Sequence, residues 1–289
     1  MRGFVIITDS GSDLPSEIIK KYDIKVAEIS CTFDGKEVKD DLVDNVSMSH
    51  FYECIEKGDM PRTSMVNTLE FVTVFENCLK DNKDIIYISL SSGLSGTYNS
   101  ALIAKESLLK KYKDAHIEIV DSLSATMGEG LLVYHACQLK TEGKSYEEIV
   151  NWLNDNAPKV NIWFMVEDLN HLKRGGRISG TQATVGNLLN IKPILTFNKE
   201  GKIYVYAKER GRKKSLKTLI EHIEQKCRDI ENKTIGIVHA NCEKDAKEIE
   251  REIKKLSPRE ILIAPLRIVV GTHAGPLAIG VIFIGDERY

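Results

Sequence analysis

Along the first half of the chain short apolar runs alternate with amphipathic helical patterns, and nothing else in the sequence restricts the fold as tightly. Residues 4–8, 24–30 and 117–120 read as strands, and 85–90 as a buried one. Helical patterns lie between them: 15–22, Ser47 through Glu56, a stretch capped by Thr68 and running through Lys80, one ending near Tyr112, and 125–140. Ser145 with Glu148 forms a capping box that opens another helix through Asn154. Asp34-Gly35 between short extended pieces is a hairpin signal. Strands that alternate with helices need crossover connections, so this half predicts an open, mostly parallel sheet with helices on both faces.

The pattern changes near residues 156–159. Ala157-Pro158 ends a helix, 160–166 reads as a strand, and 193–198 against 202–207 as a hairpin turning at 199–201. Two long charged helices follow, at about 213–230 and 243–256. A hairpin means antiparallel pairing, so the second half predicts a mixed-sheet α/β domain with helices on one face. A length of 289 residues suits two domains, placed at 1–158 and 159–289. No Gly/Ser linker or repeat separates them, so they are expected to abut, and such a junction is a common place for a ligand cleft.

The charge balance weighs against one class of partner. Forty Lys+Arg against 42 Asp+Glu leave a net charge of -2, too little cation excess for a nucleic-acid binder. The apolar run begins at once in MRGFVIITDS without a long h-region, and no apolar stretch approaches the length of a membrane span. A cytoplasmic protein is expected, in which the six scattered cysteines stay reduced. The seven histidines show no paired ligand spacing, so neither metal nor cofactor is expected.

Four polar segments interrupt the regular pattern. In the first, strand 85–90 runs into Ser91-Ser92-Gly93-Leu94-Ser95-Gly96-Thr97 and then a helix. Free N–H groups at such a helix start favour an anion, small residues admit it, and Ser95 and Thr97 add hydroxyls. A tight βα turn capped by Thr97 fits the pattern equally well. A nucleophile elbow, and with it a serine acyl hydrolase or transferase using Ser95, is the rival reading. Thr97 breaks the G-x-S-x-G pattern, however, and no acid is placed to orient the distant His273. The second segment is Arg62-Thr63-Ser64-Met65-Val66-Asn67, whose hydroxyls can equally cap turns. The third, 172–180, contains Arg174-Gly175-Gly176-Arg177, where two glycines can stop a helix and two arginines can reach an anion or a partner. The fourth is Gly271-Thr272-His273-Ala274-Gly275-Pro276, read as a turn between apolar strands that leaves the histidine unexplained.

In this order the segments resemble the DegV family, bacterial fatty-acid-binding proteins some of which are the acyl-carrying subunit of fatty acid kinase. Ile7-Thr8-Asp9-Ser10-Gly11-Ser12-Asp13-Leu14-Pro15 looks like the family's first-strand signature. Thr63-Ser64, the Ser-Gly-Thr-Tyr loop at 95–98, the Arg-Gly-Gly-Arg-Ile run at 174–178 and Thr272–Pro276 resemble its other elements. The resemblance spans essentially the whole chain. It implies that Thr63 and Ser95 hold the carboxylate of a long-chain fatty acid of the palmitate or oleate class, with His273 nearby and Gly96 also in the ligand-binding site. Ser64, Thr97, Arg174 and Arg177 are then further head-group or partner contacts, and the tail runs into an apolar tunnel between the domains. It also implies a carrier without chemistry of its own, serving lipid metabolism, with a separate fatty acid kinase as partner and at most transient membrane contact. Two positions depart from the family pattern, Met65 with its neighbours and Leu277, both expected at the pocket wall.

Overall fold

The computed structural model describes residues 2–43, 45–179 and 190–289. The chain opens with strand β1 (Gly3–Asp9), helix α1 (Ser16–Lys21), strand β2 (Lys25–Ala27), the hairpin β3 (Ser30–Phe33) and β4 (Lys36–Lys39), helix α2 (Met48–Glu56) and strand β5 (Arg62–Ser64). It continues with α3 (Thr68–Lys80), β6 (Lys83–Ser89), α4 (Thr97–Lys111), β7 (Ile117–Asp121), α5 (Met127–Thr141) and α6 (Tyr146–Asn156). The second half runs β8 (Val160–Met165), α7 (Asn170–Arg174), β9 (Ile191–Phe197), β10 (Ile203–Arg210), α8 (Arg212–Lys226) and β11 (Thr234–His239). It ends with α9 (Glu243–Lys254), β12 (Glu260–Pro265), α10 (Ile268–Ala274) and β13 (Ile279–Ile284).

Strands β2, β1, β6 and β7, in that order, make a parallel sheet. Helices α3 and α4 cover one face, where Phe71 and Phe75 pack on Tyr87, and α5 with α6 covers the other. The expected parallel layer is what forms. The second sheet has the order β10-β9-β8-β13-β11-β12 and is parallel only between β11 and β12. Its outer face packs on α8 and α9 through a cluster that includes Trp163, Leu219 and Ile249.

The inner face of that sheet rests on α5, which also touches β1 and β6. Every residue from Met127 to Tyr134 is buried, including Glu129, whose carboxyl accepts from Thr8 Oγ1 at 2.6 Å, and a helix buried on all sides lies inside a core. Gly128 makes this approach possible: a Cβ there would stand 2.7 Å from Ile162 Cδ1 of the second sheet. One hydrophobic cluster therefore runs from Val5 to Ile284 across both halves. Among the described residues no helix is long and apolar enough to cross a membrane.

Local details depart from the sequence reading at four places. The strand expected at 24–30 is two, because Ile29 N donates to Ser10 Oγ and turns the chain from β2 into β3, which joins a separate antiparallel sheet β4-β3-β5. Asn67 rather than Thr68 caps α3, in a reciprocal capping box with Glu70. β5 lies where a loop was expected. The segment around His273 is a helix rather than a turn between strands, since Arg267 N donates to Asp13 Oδ1 and Gly271 N to Arg267 O at its start.

Candidate functional site

The small antiparallel sheet carries Thr63 to the seam. β5 pairs with β3 so that Thr63 stands opposite Cys31. From there Thr63 Oγ1 meets His273 Nε2 at 2.9 Å. Helix α10, which bears His273, is fastened at its root. The Arg267 guanidinium grips the buried Asp40 carboxylate through Nε at 2.9 Å and Nη2 at 2.7 Å, and Tyr52 donates to Leu266 O at 2.7 Å.

The opening signature explains why two distant loops meet here. Asp9 accepts from Gly11 N, Tyr87 Oη and Leu90 N at 2.6–2.9 Å, and so pins the point where β6 passes into the Ser/Gly loop. Asp13 holds the residue that precedes α10. Ser95 then lies at the start of α4, where its Oγ accepts from Thr97 N at 3.2 Å and sits 2.9 Å from Thr97 Oγ1. A hydroxyl in that place satisfies one of the open N–H groups of a helix start. Gly96 is the capping residue, with the Met65 sulfur where its Cβ would be.

Behind these groups lies a narrow slot. Thr63, Ser95, Arg177 and His273 supply its polar end. The remaining wall is mainly apolar and comes from both halves, with Leu94 and Met65 facing Ile162, Phe164, Phe197 and Ile279. Arg177 is held against the slot by donating from Nε to Leu94 O and from Nη1 to Gly175 O. Gly175 is required by closeness: a Cβ there would stand 2.1 Å from His273 Nδ1.

The other residues singled out in the sequence lie off this wall. Ser64 is exposed opposite Ser30, Thr97 is buried beneath Ser95, and Arg174 is exposed with Nη2 3.1 Å from His171 Nδ1. Gly180, at the end of the Arg-Gly-Gly-Arg segment, falls outside the described residues. Of the two departures, Met65 lines the slot and Leu277 is exposed. The sequence reading missed Thr126, which lines the wall with φ of 50°, rare for a β-branched residue. It also missed the apolar wall itself, whose residues look like ordinary core.

Burial, and secondarily the Arg177 charge, pushes the His273 ring down to about 3, so the folded protein holds it neutral at pH 7. The unfolded chain takes up that proton as pH falls below about 6.5, so this ring favours unfolding increasingly between about 6.5 and 3. Asp13 acts in the opposite sense, because burial pushes its carboxyl up to about 7. The difference between wild type and His273→Gln isolates the ring. Urea unfolding at pH 7 and pH 5 is expected to show the smaller acid loss in His273→Gln; equal losses would remove the argument.

Comparison with known proteins gives a consistent picture. A family model described as "Uncharacterised protein, DegV family" matches residues 3–286. A DegV domain-containing protein of Clostridium perfringens is 45% identical over 289 residues, covering 100% of this chain and 99% of the relative. A DegV family protein from Thermus thermophilus, described for its fatty acid binding, superposes with a TM-score of 0.89 at 27% identity, covering 99% of this chain and 100% of that one. DegV of Bacillus subtilis, a fatty acid binding protein, gives a TM-score of 0.85 at 30% identity over 99% and 100%.

Proposed function

This chain belongs to the DegV family, and from that premise we propose that it is a carrier that holds one long-chain fatty acid in the seam and presents it unaltered to a separate fatty acid kinase. One observation carries the reading: an apolar slot whose polar end is furnished by the Thr63 and Ser95 hydroxyls and the neutral His273 ring. Related proteins of this fold are described as fatty acid binding.

Magnitudes divide the roles. A palmitoyl-sized tail contributes ~0.8 kcal/mol per buried methylene, on the order of 11 kcal/mol gross. Two hydroxyl hydrogen bonds to a carboxylate contribute about 1.5–3 kcal/mol each, and much of both is offset by lost ligand freedom. The tail supplies affinity, while Thr63 and Ser95 set direction. Hydroxyl donors, with the Arg177 guanidinium at the same end of the slot, let the head group keep its charge, ready for a phosphoryl donor. The serine-hydrolase reading has less support, because His273 Nε2 faces Thr63 and the Ser95 hydroxyl faces Thr97.

The test starts with protein purified from a bacterial host. Mass spectrometry of the denatured protein is expected to find a long-chain fatty acid, and Ser95→Ala to bind it about tenfold or more weakly, while its folding stability falls by only the ~1 kcal/mol of a lost helix-start hydroxyl. With ATP and a competent fatty acid kinase, the loaded carrier is expected to yield acyl-phosphate. No released lipid, together with no thermal shift on adding palmitate or oleate, sinks the carrier. A covalent fluorophosphonate adduct on Ser95 establishes the hydrolase instead.

A further inference from the structure

The side chains of Asp34, His50 and Cys54 stand apart from the slot and take no part in the proposed binding. The geometry points to a divalent transition-metal site here, of zinc type, between the tip of the β3–β4 hairpin and helix α2. His50 and Cys54 are four residues apart and share one face of α2. His50 Nε2 is 3.3 Å from Asp34 Oδ2 and 3.7 Å from Cys54 Sγ, and one ligand atom from each residue falls within 4.8 Å of the others. Zinc bonds of about 2.0–2.3 Å in a tetrahedron put neighbouring ligands about 3.3–3.6 Å apart, so the cluster needs adjustments of only a rotamer's reach.

The donor set decides the kind of ion. An imidazole, a thiol and a carboxylate suit zinc, cobalt or copper, whereas calcium and magnesium take oxygen alone. The turn that presents Asp34 is held from behind, because Asp34 N donates to Asp59 Oδ2 at 2.7 Å, and the turn residues Asp34 and Gly35 have φ of 49° and 67°. The Asp34 and His50 side chains are each 53% exposed, so an ion can enter and water can take the fourth position. Among the described residues Cys54 is also the one cysteine that is not buried. On coordination its thiol gives a proton to solvent and binds as thiolate. An ion here ties the hairpin to α2, about 10 Å along β3 from Cys31, the partner of Thr63.

Cobalt titration of chelator-treated full-length protein tests the site. A single equivalent is expected to bind, with thiolate-to-cobalt charge-transfer absorption that zinc then abolishes. Cys54→Ser is expected to lose that band, and His50→Gln to bind more than about 100-fold more weakly, since loss of a mere outer hydrogen-bond partner already costs about 10–100-fold. His50 is exposed and Cys54 half-buried against the core, and Cys54→Ser exchanges only a sulfur for an oxygen, so urea midpoints of the metal-free variants are expected to stay close to wild type, with fatty-acid binding unchanged. Absence of the band, or a band that persists in Cys54→Ser, overturns the proposal. Failure of the carrier reading leaves these results unaffected.

Discussion

Asp40→Ala is expected to lower folding stability by about 3–5 kcal/mol, seen as a matching drop in the urea midpoint. Asp40 is fully buried and Arg267 is 8% exposed, so the substitution leaves a guanidinium without its counter-charge inside the protein. The remaining contact, Arg267 Nη1 to Val43 O at 3.3 Å, is a poor substitute for the two-pronged grip on Asp40. Replacing both partners together, as Asp40→Leu with Arg267→Met, is expected to recover most of the loss, because an apolar pair needs no desolvated charge. Helix α10 starts at the next residue, so Asp40→Ala also loosens His273 and weakens acyl binding. A single variant within about 1 kcal/mol of wild type, the range of a surface ion pair, would show that the clasp does not hold α10.

Ala278→Phe is expected to weaken long-chain fatty acid binding by more than about 100-fold. Ala278 lines the slot and is buried, so a phenyl ring there occupies space that the tail needs. If the ring displaces about four methylenes, the loss is about 3 kcal/mol at ~0.8 kcal/mol each. The effect depends on chain length: an eight-carbon acid, which leaves the deep slot empty, loses much less. Isothermal titration with both acids measures the contrast. Equal weakening of the two acids would place the damage at the head group or in the fold, and would contradict a tail running past Ala278. The melting temperature without fatty acid provides the folding control.

The parts of this molecule that were legible in the sequence share a physical character. A buried strand such as β6 needs a continuous apolar run, a capping box such as Ser145 with Glu148 needs two residues at fixed spacing, and the Asp34-Gly35 turn needs residues tolerant of positive φ. Each requirement is local, so each leaves a local mark. Strand β5 leaves none, since three polar residues cannot show an alternation; only its pairing with β3 makes it a strand. Helix α10 is hidden for the same reason: seven residues are too few for a helical period to stand out, and its start is held by Asp13 and Asp40, which lie 254 and 227 residues away.

The amino-acid sequence by itself determined the alternation of strands and helices in the first half, the parallel and mixed character of the two sheets, and which polar segments to examine. Only the tertiary structure decided that Thr63 meets His273 across 210 positions, that α5 serves both sheets, and that residues indistinguishable from core line an open slot. Asp34, His50 and Cys54 belong to this second group, because a hairpin tip and a helix face come together only when β3 has been placed. Local preference acts through neighbours in the chain and is written there. A cavity is set by how far packed layers stand apart, a property of pairs of surfaces that no single stretch of residues contains.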